Sequence, residues 1–291
     1  MKLGFIGIGV MGHAMAGHLL AAGNELYVFN RTKAKTDDLV TNGAIWCETP
    51  QCVAQEADII FTMVGYPTDV EEIYYGEEGI FQADVTGKIV VDFTTSTPSL
   101  AEKIAQTAKE KAAFSLDAPV SGGDLGAKNA TLTIMVGGEE ATYQKVLPFF
   151  EVVGKTFALH GTSGKGQHTK MANQIMIAGT MTGMTEMLVY AQKAGLDLAK
   201  VIDTLGGGSA TNWSMLNYGP RILAENYSPG FFVKHFIKDL KIALDEAEKQ
   251  QLSLPSTKLA TELYEKLAKT GYENDGTQAL IKLWWKDGKN S

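Results

Sequence analysis

The stretch GFIGIGVMGHAM, residues 4–15, decides how the chain reads. A β-rich apolar run, KLGFIG (2–7), passes into a helical stretch at 11–22, and Gly7, Gly9 and Gly12 stand between them as G-x-G-x-x-G. In a strand–turn–helix setting each glycine has a separate task. Gly7 permits the tight turn, Gly9 leaves the backbone bare for a pyrophosphate, and Gly12 lets the helix pack on the sheet. Ile8, Val10 and Met11 complete a loop whose free N–H groups and helix dipole suit phosphates. The spacing implies a bound dinucleotide. The alternative is a tight turn in an α/β domain with no ligand.

Outward from that turn, short β-rich runs alternate with helical ones. Strands are expected at ELYVFN (25–30), DIIFTMV (58–64), KIVVDFT (88–94), FSLDAPV (114–120), TLTIMVGG (131–138) and KTFALHG (155–161). Helices are expected at 34–42, 98–111 and 139–150. Such alternation predicts a mostly parallel sheet covered on both faces. Near residue 162 the pattern turns helical, with stretches at 164–195, 198–206, 212–226, 234–251, 255–270 and 276–285. The punctuation agrees: Gly195 follows the first of these, Pro255 opens a later one, and Gly271 closes it. The expected domains are 1–162, which binds the dinucleotide, and 163–291, helical, with 164–195 long enough to join the two.

With 291 residues, 45% of them hydrophobic and 20% charged, the composition is that of a globular protein. A net charge of −7 argues against nonspecific nucleic-acid binding but not against a small anionic substrate. Two cysteines, Cys47 and Cys52, give neither a disulfide scaffold nor a zinc pattern. MKLGFIGIG lacks a signal-peptide layout, and no apolar run reaches membrane-spanning length unbroken, so a cytoplasmic enzyme with no membrane partner is expected.

The end of the second strand reads FNRTKAK. An acidic residue there would bind the adenosine ribose hydroxyls. Asn30 instead cannot repel a 2′-phosphate, Arg31 offers a planar fork for one, Thr32 a hydroxyl, and Lys33 or Lys35 positive field. NADP is therefore expected over NAD, though Arg31 also reads as the start of a solvated helix. Met63 and Val64 in TMVGYP, and Thr94 and Thr95 in DFTTSTP, lie at carboxyl ends of strands, where ligands sit in such sheets. Helix capping before Pro98 is the other reading of Thr94–Thr97.

Two segments suit the reacting end. In DAPVSGGDLGAKNATL (117–132), Ser121, Gly122 and Gly123 set a hydroxyl beside two unshielded N–H groups, which together can hold a carboxylate. Hydride transfer to a carbonyl leaves negative charge on oxygen, and a donor must supply a proton. In GTSGKGQHTKMANQ (161–174), Lys170 is the best candidate, just inside a helix whose continuation is apolar. Burial and the field of a helix N-terminus both oppose its charged form. Asn173 and Gln174 share its face, and His168 competes as an acid by type. Lys238, beside Asp239 in an amphipathic stretch, reads as a cofactor or substrate contact or as an ordinary surface ion pair. Ser209, Asn212 and Trp213 are further candidate contacts.

With GFIGIGVMG, DAPVSGG, GKGQHTKMANQ and FIKDLKIA in this order, the sequence resembles the β-hydroxyacid dehydrogenase family over almost its whole length. That family includes 3-hydroxyisobutyrate dehydrogenases and tartronate semialdehyde, succinic semialdehyde and glyoxylate reductases. The resemblance implies an α/β fold: a Rossmann-type N-terminal domain with an all-helical C-terminal domain joined by a long helix. It implies Lys170 as catalytic lysine, Ser121, Gly122 and Gly123 as the substrate-carboxylate loop, and Thr95 as a substrate or cofactor contact. It places Lys238 near the nicotinamide, and Arg31 and Thr32 in the NADP-preferring branch. Many members end the lysine motif with two asparagines; here Asn173 matches the first and Gln174 replaces the second, a longer amide that shifts the preferred substrate.

The expected activity is NADP-dependent interconversion of a short β-hydroxyacid and its semialdehyde, 3-hydroxyisobutyrate dehydrogenase-like, with NAD as the other cofactor. Succinic semialdehyde or glyoxylate reduction is the alternative. A non-catalytic dinucleotide-binding protein and an imine reductase are readings from other classes. A homodimer or homotetramer is expected by resemblance, with Gly179 and Gly183 on one face of the long helix.

Overall fold

Strand residues of the first half alternate between two cores, which is why they form a sheet covered on both faces. The computed structural model describes residues 1–285. Its chain divides into two compact units, one ending at Lys170 and the other beginning at Met171.

The first unit runs β1 (Lys2–Ile6), α1 (Val10–Ala21), β2 (Glu25–Phe29), α2 (Asp37–Thr41), β3 (Ile45–Trp46), α3 (Pro50–Glu56), β4 (Ile59–Thr62), α4 (Pro67–Tyr75), β5 (Ile89–Asp92), α5 (Pro98–Glu110), β6 (Phe114–Asp117), β7 (Val120–Ser121), α6 (Gly123–Lys128), β8 (Leu132–Gly138), α7 (Glu140–Val153) and β9 (Gly154–Leu159). The sheet order is β3-β2-β1-β4-β5-β6-β8-β7, with β9 on β8. Strands β1 to β6 pair in parallel, whereas β8 runs antiparallel to β6 and β7. Leu3, Phe5, Ile59, Phe61, Ile89 and Val91 enter one core with α1, α6 and α7 residues. Ile6, Ile60 and Val90 enter the other, with Val53, Val70 and Ile104 of α3, α4 and α5. Phe61 stacks on Phe93 at 5.5 Å between ring centroids, an arrangement that adds to plain area burial.

Helix α8 (Lys165–Lys193) carries the division between the units. The second unit continues with α9 (Leu198–Gly206), α10 (Trp213–Leu223), α11 (Val233–Lys249) and α12 (Pro255–Leu267). Met181, Met184 and Leu188 of α8 meet Ile202, Tyr218, Phe236, Leu240 and Tyr264 in its core. Asp197 caps α9 by accepting the Lys200 N–H, and Asn212 caps α10 through Met215. Asn212 thus has a structural role. Gly195 takes a positive φ of 71° just past α8, as a helix-ending glycine does.

Three elements depart from expectation. The run 114–120 breaks into β6 and β7 at Ala118–Pro119, because Pro119 has no N–H to offer a ladder. The loop expected at 117–132 holds α6, begun by Gly122 at φ 128°. The helix expected at 276–285 is a 3-10 segment, Thr277–Leu283, and the last six residues of the expected helical domain lie outside the described ones. No helix among the described residues is long and apolar enough to cross a membrane.

Candidate active site

Gly7 has a φ of 99°, and a Cβ there would stand 2.2 Å from the Met63 carbonyl oxygen. A Cβ on Gly12 would stand 1.9 Å from the Gly7 carbonyl oxygen, whereas one on Gly9 would meet nothing within 4 Å. The loop is therefore tight at its two ends and open in the middle. Helix α1 starts at Val10 with no side-chain cap, leaving the first-turn N–H groups of Val10, Met11 and Gly12 for an anion. These features fit a dinucleotide pyrophosphate. Gly12→Ala should destabilise the protein by about 3 kcal/mol, because backbone overpacking exceeds the ~1 kcal/mol that alanine gains in helix propensity. Urea unfolding checks this, and an unchanged midpoint would contradict it.

Asn30 ties the loop to the segment after β2. Its Oδ1 accepts the Ile8 N–H at 3.0 Å, and its Nδ2 donates to the Thr32 carbonyl at 2.8 Å. The Arg31 side chain is 91% exposed, with Nη1 3.8 Å from Asp69 Oδ1. Such an exposed pair is worth little and leaves the guanidinium usable. The Lys33 ammonium lies over the Trp46 ring at 3.8 Å from its centroid.

At the ends of β4 and β5 a buried polar knot forms. Asp92 Oδ1 accepts from the Thr62 hydroxyl at 2.7 Å and the Thr94 N–H at 3.0 Å. The Thr94 hydroxyl accepts the Val64 N–H at 2.9 Å and is buried, so Thr94 joins the ends of β4 and β5. Met63, Val64 and Thr95 are half-buried. Thr97 caps α5, accepting from Leu100 N–H, as the capping reading expected.

Burial pushes the Asp92 carboxyl up to about 6, from 3.8. A carboxyl that holds its proton more tightly when folded makes unfolding free energy fall as pH climbs from about 4 to about 6. The loss amounts to about 3 kcal/mol over that window. Asp92→Asn keeps both accepted hydrogen bonds and should gain that amount relative to the wild type across the same window. Urea unfolding at pH 4, 5, 6 and 7 reads it, and parallel profiles for the two proteins would refute it.

Asp117, ending β6, serves the start of α8. Its Oδ1 accepts the Gly164 N–H at 2.8 Å and its Oδ2 the Gln167 N–H at 2.9 Å. A carboxylate at this end of a helix is favourably placed against the dipole. Burial nonetheless raises its affinity for a proton, opposed by these N–H groups. Gln167, also buried, reaches the Thr94 carbonyl and the Ser96 N–H. One turn further, Lys170 is 5% exposed and its Nζ donates to the Val120 carbonyl at 2.8 Å. Val120 is followed directly by Ser121, Gly122 (φ 128°) and Gly123 (φ 62°), so the ammonium lies against the strand that begins this loop. His168 is half-buried.

In the second unit a directional polar chain forms. Asn173 Nδ2 donates to Gln174 Oε1 at 2.7 Å, and Gln174 Nε2 donates to Asp239 Oδ2 at 2.7 Å. Lys238 Nζ lies 3.1 Å from Asp239 Oδ1, with Asp239 buried and Lys238 mostly so. The longer amide of Gln174 is thus spent on a buried carboxylate. Lys241 instead makes an exposed pair with Glu265 at 2.7 Å. Trp213 is 52% exposed.

Sequence reasoning assigned no role to Gln167 or Asp117. Both lie inside quoted motifs, but their partners are backbone atoms 47 to 73 residues away, which spacing cannot reveal.

Residues 2–186 match the family described as the NAD binding domain of 6-phosphogluconate dehydrogenase, and residues 164–284 match NAD-binding of NADP-dependent 3-hydroxyisobutyrate dehydrogenase. The oxidoreductase YkwC of Bacillus subtilis (strain 168) is 52% identical over 98% of this chain and 99% of its own. The chain belongs to the β-hydroxyacid dehydrogenase family. Another relative of this dehydrogenase is the 2-hydroxy-3-oxopropionate reductase of Escherichia coli (strain K12), 40% identical over 97% of this chain and 96% of its own. Mycobacterium tuberculosis 3-hydroxyisobutyrate dehydrogenase, solved with L-serine, superposes with a TM-score of 0.88 at 26% identity, covering 97% of this chain and 98% of that one. This chain is therefore an NAD(P)-dependent oxidoreductase with a Rossmann-like first domain and a mostly helical second one. It acts on a small hydroxyacid/semialdehyde pair.

Proposed function

We propose that the chain interconverts a short β-hydroxyacid, 3-hydroxyisobutyrate-like, and its semialdehyde with NADP, and that Lys170 moves the proton. The carrying observation is the buried Lys170 ammonium at 2.8 Å from the Val120 carbonyl, next to the Ser121–Gly123 loop. When bound, the nicotinamide supplies or takes the hydride. Gly7, Ile8, Gly9, Val10, Met11 and Gly12 hold the pyrophosphate, and Met63, Val64, Thr95 and Lys238 make further cofactor contacts. Arg31 and Thr32 bind the 2′-phosphate, and Asn30 places them.

Ser121, through its hydroxyl, and Gly122 and Gly123, through their N–H groups, hold the substrate carboxylate without a full countercharge. Lys170 Nζ gives its proton to the carbonyl oxygen as negative charge grows there, and takes it back from the hydroxyl in oxidation. Asn173 and Thr95 are the remaining substrate contacts, and Gln174, bonded to both Asn173 and Asp239, orients Asn173 toward the substrate. Fixed donors of this kind act where charge develops and need no reorganisation during reaction. We also propose a homodimer or homotetramer, for which the α8 face carrying Gly179 and Gly183 is open: a Cβ at either would meet nothing within 4 Å.

Steady-state kinetics on 3-hydroxyisobutyrate, tartronate semialdehyde, succinic semialdehyde and glyoxylate, each with NADP(H) and NAD(H), test the reading. The highest kcat/KM should fall on a three-carbon-backbone β-hydroxyacid pair with NADP(H). A clear preference for succinic semialdehyde or glyoxylate would replace that substrate, and turnover of imines alone would overturn the class.

A further inference from the structure

Gln167 uses both ends of its side-chain amide on one short stretch of backbone. Nε2 donates to the Thr94 carbonyl at 2.8 Å, and Oε1 accepts the Ser96 N–H at 2.9 Å. The two bonds straddle Thr95. An amide that meets the carbonyl before a residue and the N–H after it does what a neighbouring strand does in a sheet: it fixes the backbone of the residue between. Gln167 is fully buried, as are Thr94 and Ser96, so none of these groups has water as a substitute partner.

The main chain of Gln167 is held as firmly from the other side. Its N–H and that of Gly164 go to the two oxygens of Asp117, at 2.9 and 2.8 Å. Three residues along α8, the Lys170 ammonium meets the Val120 carbonyl, three residues along from Asp117. Strand end, helix start and the Thr95 loop are thereby joined through two side chains, Asp117 and Gln167.

We propose that Gln167 is a positioning residue that sets the distance between Thr95, the cofactor and substrate contact, and Lys170, source of the proton. The inference rests on the roles given to those two residues above. Hydride and proton must arrive at adjacent atoms of one carbonyl group, so a loop free to shift against the helix would spoil the approach of one while leaving the other in place. Misplacement of about 1 Å is enough to cost roughly 100-fold in rate.

Gln167→Glu separates this role from plain structural support. When protonated, glutamic acid reproduces both bonds: its carbonyl oxygen accepts from Ser96 N–H and its hydroxyl donates to the Thr94 carbonyl. When ionised, it sets an oxygen against an oxygen at Thr94. Asp117 and, across the β5–β6 pair, Asp92 favour the protonated form; the Lys170 ammonium on the next turn opposes them. The readouts are kcat against pH and the primary deuterium isotope effect on kcat, with reduced cofactor deuterated at the transferred position. For Gln167→Glu, kcat should approach wild type at the acid end and fall roughly 100-fold as pH rises, with the isotope effect growing as the rate falls. Gln167→Leu, with neither bond, should be slow at every pH.

A folded Gln167→Leu with wild-type kcat and isotope effect across the range overturns the proposal. So does a Gln167→Glu rate loss independent of pH, or a loss in both variants confined to melting temperature. Lys170→Ala separates this failure from that of the underlying reading. If that variant keeps its rate, the proton-donor assignment falls; if it is impaired while Gln167→Leu is not, only the positioning role falls.

Discussion

Lys170→Ala should lower kcat by about 10²- to 10⁴-fold, the usual contribution of a positioned general acid. Cofactor affinity should stay near wild type, because the glycine loop and Arg31 are built from other elements. The residue is 5% exposed and meets the Val120 carbonyl at 2.8 Å, so the alanine variant also leaves a void and an unpaired acceptor. Lys170→Met keeps most of the volume and controls for packing. Lys170→Arg keeps the charge, but a guanidinium does not give up its proton, so it should be nearly as slow as the alanine variant. Stopped-flow oxidation of NADPH with saturating aldehyde reads the chemical step directly. Arginine activity near wild type would mean that the position supplies only positive charge.

Arg31→Ala should weaken NADP(H) by roughly 10- to 100-fold in KM and leave NAD(H) kinetics little changed. The estimate follows from losing one charge-assisted hydrogen bond set to a phosphate, worth about 1.5–3 kcal/mol. Among the described residues the guanidinium makes a 3.8 Å exposed pairing with Asp69, so little else is lost with it. Asn30→Asp should move preference the same way by a second route. A carboxylate still accepts the Ile8 N–H, but it repels a 2′-phosphate and no longer donates to the Thr32 carbonyl. The ratio of kcat/KM for NADPH to that for NADH measures both variants. A ratio unchanged in both would show that the 2′-phosphate is read elsewhere or not at all.

The parts legible in the sequence were those where one residue type has one physical use. Glycines at 7, 9 and 12 between a strand and a helix carry backbone demands that the structure makes concrete: a positive φ, an open middle, a helix packed on a carbonyl. Buried parallel strands such as β5, apolar from Ile89 to Val91, read as short apolar runs because both faces are covered. Short elements were not legible. Strand β3 is two residues, and α6 begins on the glycines that signal a turn. Helix α4 did carry a signal, Pro67 at its first position with the Asp69 carboxylate accepting the Tyr66 N–H at 3.0 Å. Among site residues, an ammonium after a glycine loop pointed to Lys170 because its charge conflicts with an apolar helix. Thr94 and Gln174 were read for their polar atoms, and those atoms prove to bond within the protein, to Val64 and Asp239. Composition marks a polar group; only three-dimensional neighbours say whether it faces a ligand or the interior.

A crystal structure of the protein with NADP and a bound hydroxyacid tests the central claim most directly. The account predicts the Lys170 ammonium within about 2.6–3.2 Å of the substrate hydroxyl, its bond to the Val120 carbonyl exchanged or shared, and the carboxylate on Ser121–Gly123. A complex in which Lys170 keeps its bond to Val120 and does not reach the hydroxyl, which another group meets, would contradict it.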